Sequence, residues 1–271
     1  ISYTGTIALG MTLIIISGGF DLSVGSATAF TGGVAIITMN AFGVDSTVGL
    51  IAGVLMAALF GTLLGAINGF LVTRWRIAPF IATLGTMSIY RSLVIYFGQA
   101  GNIESQNSAY AEIGSGVILG LPVPVWLFFI IAFLLHVFLT KTRSGRYICA
   151  VGANQQVARY SAIKVWFYKF IPYAITGLTV GVAALMWSSR LNSINPSDAA
   201  GYELDAIAAV VIGGTPMTGG RGRIIGTVLG AIMLGIISNT LVLAGVSSYL
   251  QQAAKGLVII AAVLLQFNKD K

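Results

Sequence analysis

Apolar residues run through this chain in long segments that short polar connections separate. A membrane-spanning helix needs about 20 apolar residues, and fewer where neighbouring protein covers part of it. Nine segments come close to that length, at residues about 1–17, 22–39, 48–73, 79–98, 125–140, 170–189, 206–220, 224–245 and 250–267. The pattern predicts an all-α fold, a polytopic transmembrane helix bundle that forms a single domain over residues 1–271.

The polar connections fall into two sets that alternate along the chain. The connections at 40–47, 99–124 and 190–205 carry acidic residues, with Arg190 as their only basic residue. The other set carries most of the basic residues, which are Arg74, Arg76, those of 141–169, Arg221, Arg223, Lys269 and Lys271. By the positive-inside rule the basic set and the C-terminus are cytoplasmic. The first residue then lies outside, so we expect one further span upstream and ten in all.

Composition supports a membrane protein. Hydrophobic residues make up 56% of the chain and charged residues 8%, whereas soluble domains carry about 25% charged residues. The net charge of +7 is explained by cytoplasmic basic loops beside anionic lipid, so nucleic acid is not an expected partner. Glycine stripes at Gly61, Gly65 and Gly69 and at Gly177 and Gly181 predict closely packed helices.

Two glycine-rich polar stretches, residues 18–26 and 213–222, interrupt the apolar pattern. Irregular backbone at membrane depth must be buried in protein or line a wet cavity, so both predict broken helices. Asp21 can cap a helix that begins at Leu22, and direct contact with cargo or a partner is the alternative. The residues that we assign to the breaks are Asp21, Ser23, Gly213 and Gly214.

Motifs for nucleotide binding and catalysis are incomplete. The glycines of 213–222 lack the Gly-Lys-Ser/Thr ending of a phosphate loop. Ser115 and His136 are predicted near opposite ends of one span, and Asp21 and Asp205 on opposite sides. His136 has no second ligand candidate nearby, so no metal site is predicted. An intramembrane enzyme and an ion-coupled secondary transporter are the alternatives from other classes.

Several polar residues are candidates for contact with a cargo or a partner. An uncharged, hydroxylated cargo suits a pathway lined by neutral groups, although such groups also form hydrogen bonds between helices; the pathway candidates are Asn68, Phe80, Thr83, Thr86, Tyr90 and Asn239. Arg91 lies late in its span, where it either pairs with an outer carboxylate or takes part in docking or gating. Arg190 suits an acidic partner surface or a solvated charge.

The connection at 141–169 carries six basic residues and no acidic residue. Within it, Asn154 can cap a short helix from Gln155 to about Ile163, with Val157, Tyr160 and Ser161 on one face. A short helix of shallow profile suits insertion into a groove on another protein. The alternative is an interfacial amphipathic helix that lies on lipid.

Seven stretches of the chain carry a family resemblance. They are GMTLII (10–15), GGFDLSVGS (18–26), PFIATLGTM (79–87), TRSGRYICAVGAN (142–154), GYELDAIAAVVIGGT (201–215), GGRGRIIGTVLGA (219–231) and GVSSYLQQ (245–252). In this order they resemble the permease subunits of sugar-type ATP-binding-cassette importers, the ribose permease group. The resemblance covers nearly the whole chain, without the N-terminal segment and first span of that family.

The resemblance implies a set of partners and a location. The permease lies in the bacterial inner membrane and pairs with a second permease subunit, usually an identical one. A cytoplasmic ATPase holds ATP and Mg, so no cofactor is expected on this chain. Residues 141–169 form the coupling loop, and the residues implied to contact the ATPase are Gly152, Asn154, Gln155, Ala158, Arg159, Ser161, Ala162 and Ile163.

The resemblance also implies a substrate-binding protein on the outer face and a class of cargo. Among the outer connections, the docking candidates are Arg190, Asp198 and Glu104. The cargo is a monosaccharide, with ribose as the first expectation. Other pentoses, hexoses, inositol and autoinducer-2 are alternatives, because the resembling stretches concern scaffold and coupling more than cargo.

Overall fold

The computed structural model describes residues 1–247, 250, 253–254 and 256–257, and its architecture is helical. The first half contains α1 (Ser2–Ile16), α2 (Val24–Asn40), α3 (Thr47–Thr73), α4 (Pro79–Phe97), β1 (Ile103–Glu104), a 3-10 turn (Ser108–Tyr110), α5 (Ala111–Ser115), β2 (Val117–Ile118) and β3 (Leu121–Pro122). The second half contains α6 (Val123–Lys141), α7 (Arg143–Ala153), α8 (Gln155–Tyr160), α9 (Val165–Leu191), β4 (Ser193–Ile194), α10 (Tyr202–Ile212) and α11 (Ile224–Leu243).

Each predicted apolar segment up to residue 245 corresponds to one helix. Most of the segment at 250–267, half of the last resembling stretch and the basic residues of the C-terminus lie outside the described residues. Within the described part of the chain, five helices are long and apolar enough to cross a membrane, namely α3, α4, α6, α9 and α11. The helices α1, α2 and α10 have 15, 17 and 11 residues. They are short because each is interrupted at a predicted break.

Helix α1 lies at the centre of the bundle. Every residue from Gly5 to Ile16 is buried, and the helix contacts α6, α9, α10 and α11. A helix that is apolar on all sides is stable only where protein or lipid surrounds it, and here protein does so. The peripheral helices instead expose apolar side chains at helical spacing, as Leu55, Leu59 and Leu63 do on α3. Exposed apolar stripes of this kind are typical of membrane-spanning helices.

The predicted glycine stripes meet in one interface between α3 and α9. A β-carbon added at Gly61 would lie 2.5 Å from the Gly177 carbonyl oxygen and 2.9 Å from the Gly181 Cα. One added at Gly65 would meet the carbonyl of Tyr173. The two backbones therefore approach more closely than any larger residue permits, and the prediction of close packing is confirmed.

The two sets of connections gather at the two ends of α3, which is about 40 Å long at 1.5 Å per residue. At one end, β1 pairs with β4, and the Asn40 amide donates to the Glu104 carbonyl at 2.8 Å. These contacts join the three acidic connections, and we call this the acidic end. At the other end, which we call the basic end, the turn after α3 lies beside α8 and the start of α9.

Candidate functional site

The basic end carries two consecutive helices, α7 and α8, where the sequence predicts only one. The Thr142 hydroxyl accepts the Gly145 amide at 3.1 Å and caps α7. The Asn154 carboxamide oxygen accepts the amides of Gln156 at 2.9 Å and Val157 at 3.1 Å, which confirms the predicted cap of α8. Helix α8 ends at Tyr160, three residues before the predicted Ile163, because Ala162 has the left-handed φ of 58°.

The face of α8 that the sequence predicts is exposed, while one of the predicted coupling residues is buried. Ala158 is buried and packs with Val151 and Val165 beneath the helix, away from its exposed surface. Val157 and Tyr160 are 58% and 89% exposed and form the most prominent apolar surface of α8. Of the other predicted coupling residues, Ile163 is half-buried and the exposed ones are Asn154, Gln155, Arg159, Ser161 and Ala162.

Gly152 connects α7 to both helix breaks. A β-carbon added there would meet the carbonyl of Ile16, the last residue of α1, and would lie 2.8 Å from the Gly220 nitrogen. The Gly220 amide in turn donates to the Ile16 carbonyl at 2.8 Å. We call Ile16, Gly152 and Gly220 the glycine junction. It brings helix α7, the end of α1 and the connection between α10 and α11 into direct backbone contact.

The first helix break is held by a buried polar cluster. The Asp21 carboxylate accepts the amide of Ser23 at 2.8 Å and its hydroxyl at 2.7 Å. The Asn68 amide of α3 donates to both Asp21 oxygens, at 3.3 and 3.2 Å, and to the Ser23 hydroxyl at 2.7 Å. Asp21 therefore binds backbone N–H as predicted, but α2 begins at Val24 and not at Leu22. The carboxylate stabilises the turn before the helix and ties it to α3.

The second break, at residues 213–223, contains glycines in close backbone contacts and left-handed conformations. A β-carbon at Gly213 would lie 2.5 Å from the Gly226 carbonyl of α11, so the two ends of the break pack backbone to backbone. Gly214, Gly219 and Gly220 all have positive φ, between 80° and 84°. The Thr12 and Thr227 hydroxyls are 2.7 Å apart and join α11 to α1. The predicted break is present.

The structure brings four of the six pathway candidates into the interior. Asn68, Thr83, Thr86 and Tyr90 are buried, and the Tyr90 hydroxyl donates to the Leu64 carbonyl at 3.2 Å. Thr83 and Thr86 donate to carbonyls of their own helix. Phe80 and Asn239 lie on exposed surfaces of α4 and α11, so they do not join this group. The buried oxygen of the Asn68 amide accepts no hydrogen bond from a described residue.

At the acidic end, Arg91 donates hydrogen bonds to backbone carbonyls, and the nearby carboxylates of Glu203 and Asp198 also attract its guanidinium. Its guanidinium donates to the carbonyls of Pro196 and Asp198, at 2.9 Å for Asp198, and so ties α4 to the connection after β4. Arg190 and Glu104 are exposed, while Asp198 is half-buried and its carboxylate accepts the Asn195 amide at 2.8 Å. In the described part of the chain, no three His, Cys, Asp or Glu side chains are grouped to hold a metal ion.

Comparisons with known proteins place these features in a family. Residues 1–263 match the family described as branched-chain amino acid transport system / permease component. The chain is 41% identical to the ribose import permease RbsC of Haemophilus influenzae over 97% of its length and 81% of that protein. The identity is 42% to RbsC of Bacillus subtilis, over 100% of this chain and 83% of that one.

A further relative is the D-allose transport system permease AlsC of Escherichia coli, which is 38% identical over 97% of this chain and 80% of that protein. No solved structure matches. All three relatives are named as transport permeases and not as enzymes, in agreement with the five helices that can cross a membrane. The chain therefore belongs to this family of membrane permeases, as the resemblance indicates.

Proposed function

We propose that this chain is the membrane permease of an ATP-driven importer and that it carries a monosaccharide, with ribose as the first candidate. The observation that carries the proposal is the identity of 41–42% to ribose import permeases over nearly the whole chain. Residues 1–271 then form one transmembrane permease domain, with 141–169 as its cytoplasmic coupling loop.

Other small cargoes remain alternatives within this proposal. The permeases for D-allose and L-arabinose from Escherichia coli are 38% and 34% identical to this chain. Identity to ribose permeases is therefore higher by only a few percentage points. Hexoses, inositol and autoinducer-2 belong to the same set of alternatives. Uptake measured with a panel of sugars is needed to decide among these cargoes, because overall sequence identity does not distinguish them.

The orientation follows from charge. The basic end faces the cytoplasm by the positive-inside rule, and the acidic end faces outward. Nine spans that begin on the outer side would place the C-terminus in the cytoplasm. The gathering of like-charged connections at each end of α3 supports this arrangement.

The coupling loop would act through the glycine junction. ATP and Mg belong to a partner ATPase, which binds the exposed face of α8 around Val157 and Tyr160. The cap at Asn154 and the buried Ala158 fix α8 on the permease, so that it moves with α7. Because Gly152 touches Ile16 and Gly220, a shift of α7 is transmitted to both helix breaks. Packed backbone of this kind moves as a unit and does not deform gradually.

The remaining partners bind elsewhere on the permease. A substrate-binding protein docks at the acidic end, where Arg190 and Glu104 are exposed. Asp198 contributes by holding the loop that Arg91 binds. Two copies of the permease enclose one pathway, and exposed residues such as Asn239 and Phe80 can line it only between copies.

The activity is tested by reconstituting the permease with its ATPase and binding protein in liposomes. We expect ATP hydrolysis that depends on the loaded binding protein, and uptake of radiolabelled ribose above allose and arabinose. Faster uptake of another sugar would change the proposed cargo but would still support an ATP-driven importer. Uptake without ATP, driven by an ion gradient, would instead support a secondary transporter and contradict the proposal.

The coupling surface is tested by Tyr160→Ala. Truncation of a central aromatic residue in an interface typically costs 2 kcal/mol or more, so we expect ATPase binding about 30-fold weaker. Tyr96→Ala is a matched control, because Tyr96 is 76% exposed on α4 and lies near the acidic end. Equal ATPase affinity in the two variants would remove α8 from the docking surface.

A further inference from the structure

A cleft of about 950 Å³ opens at the basic end, between the turn after α3 and the segment that joins α8 to α9. Five basic side chains line it, and no acidic residue does so among the described residues. They come from both walls: Arg74, Arg76, Arg159, Lys164 and Lys169. Like charges that share one cleft repel one another and attract a bound anion.

Arg76 occupies a position that usually belongs to glycine. Helix α3 ends with the Arg74 amide on the Phe70 carbonyl at 2.8 Å and the Ile77 amide on the Leu71 carbonyl at 3.2 Å. Helices commonly end with a residue in a left-handed conformation, and that residue is usually glycine. After α3 the left-handed residue is Arg76, with φ of 57°. Arginine at this position is unfavourable for the fold, yet it adds a cation to the cleft.

The rim of the cleft has the composition of a membrane interface. Trp166 lines the cleft and is 57% exposed. Trp75 is 65% exposed and packs edge-on against the lining residue Phe70, with ring centroids 5.7 Å apart. Tryptophan is enriched at the level of lipid headgroups. Phe70 also ends the exposed apolar stripe of α3 that includes Leu63 and Ile67. The cleft therefore continues directly into the lipid-facing surface.

We propose that this cleft binds the phosphate headgroup of an anionic phospholipid, whose acyl chains lie along the exposed stripe of α3. Arginine pairs with phosphate oxygens in a bidentate way, and lysine adds a point charge. The cations hold the phosphate, the tryptophans fix the depth of the headgroup, and the apolar stripe accepts the chains. The proposal requires a membrane location and does not depend on which sugar is carried.

The test uses the purified permease alone, in a neutral detergent, with native mass spectrometry to count bound phosphatidylglycerol in the presence of phosphatidylcholine. A basic residue near the headgroups contributes a factor of about five in lipid affinity. We expect the variant Arg74→Gln/Arg76→Gly to bind phosphatidylglycerol about 25-fold more weakly. Glycine suits the backbone at position 76, so this variant should unfold at the same temperature as the wild type or higher.

The matched control is Arg143→Gln/Arg146→Gln. Both arginines are exposed on α7, neither lines the cleft, and the change in net charge is the same. Phosphatidylglycerol binding should stay at the wild-type level. An equal loss in the two variants would show general attraction by net charge and overturn the site.

Two further measurements distinguish the phospholipid from the other possible occupants of the cleft, soluble phosphate and the ATPase. Inorganic phosphate at millimolar concentration should not displace the lipid, because acyl chains contribute to its affinity; displacement would make the cleft a site for soluble phosphate. Added ATPase should bind with phosphatidylglycerol still in place. Competition between them, with weaker ATPase binding by the Arg74/Arg76 variant, would assign the cleft to the ATPase. Loss of lipid binding with sugar uptake retained would still leave the proposed transport function intact.

Discussion

Two aspartates of this permease make the same pair of hydrogen bonds in different surroundings. Near the basic end, Asp21 accepts the amide and hydroxyl of Ser23 at 2.8 and 2.7 Å. At the acidic end, Asp45 accepts the amide and hydroxyl of Ser108 at 2.7 and 2.8 Å. Asp21 is 2% exposed and also binds Asn68, whereas Asp45 lies in an exposed loop.

The difference in burial between the two aspartates reflects how the surrounding regions are packed. Near the basic end, polar groups and glycine backbone are enclosed by helices, so each contact is difficult to replace by water. At the acidic end, the Asp45 side chain joins two surface connections, and water can reach its polar groups. The same chemistry therefore holds a helix break in place in one region and only fastens loops in the other.

Gly152→Val should give the largest effect, because it overfills the glycine junction. The added side chain meets the Ile16 carbonyl, and neither backbone can move without shifting α1 or the second break. We expect a loss of about 3 kcal/mol in the free energy of unfolding, measured in mild detergent, and loss of coupled uptake.

Gly85→Val is the matched control for this substitution. Gly85 lies in helix α4, and a β-carbon there meets nothing within 4 Å. Its effect should stay near the difference in helix propensity, below about 1 kcal/mol. Equal effects at both positions would mean that the junction is not a tight contact.

Asp21→Ala comes next. It leaves the amide and hydroxyl of Ser23 and one N–H of the Asn68 amide buried without their acceptor, at a cost of about 2 kcal/mol in the free energy of unfolding. Asp21→Asn keeps an acceptor oxygen and should recover at least half of that loss. If Asp45→Ala destabilises the protein as much as Asp21→Ala does, burial is not what distinguishes the two ends.

Much of the fold could be predicted from the sequence because the bilayer imposes long apolar segments and sorts basic connections to one side. The two breaks were readable from residues 18–26 and 213–222, since glycine and polar residues are rare in lipid-exposed helix. The cap at Asn154 was readable from local chemistry. The glycine stripes predicted close packing, but not that α3 and α9 would face each other.

Other features needed the structure because they depend on tertiary contacts. Helix α7 was missed since Gly145 and Gly152 argue against a helix, although Thr142 as a cap and the spacing of Ile148 and Val151 were signals for one. The inward direction of Ala158 follows from packing with Val151 and Val165, which no local pattern specifies. The carbonyls that accept hydrogen bonds from Arg91 belong to a loop about 100 residues away in the chain.

Arg91→Gln tests the acidic end at an intermediate magnitude. The substitution removes the two hydrogen bonds that the charged guanidinium donates to the carbonyls of Pro196 and Asp198. We therefore expect a loss of about 1.5 kcal/mol in the free energy of unfolding. Arg190→Gln, at an exposed position of the same end, should change stability by less than about 0.5 kcal/mol. Under the proposed docking role, Arg190→Gln should instead weaken the affinity of the binding protein for the permease. If Arg190→Gln lowered stability and Arg91→Gln weakened binding, Arg91 would be the docking residue and Arg190 the structural one.

The smallest effect on stability is expected at Asp45. There the contribution of the ionised carboxylate can be measured by varying the pH. The amide and hydroxyl of Ser108 lower the pKa of the Asp45 carboxyl below its ordinary value of 3.8. Its contribution to stability is therefore present above pH 3.8 and is lost as the pH falls through the lower folded pKa. Hydrogen exchange at the Ser108 amide should be faster in Asp45→Asn than in the wild type at neutral pH, and the two should converge in acid. A difference that persists below the folded pKa would mean that the carboxylate charge does not hold this loop, and the parallel with Asp21 would then rest on hydrogen-bond geometry alone.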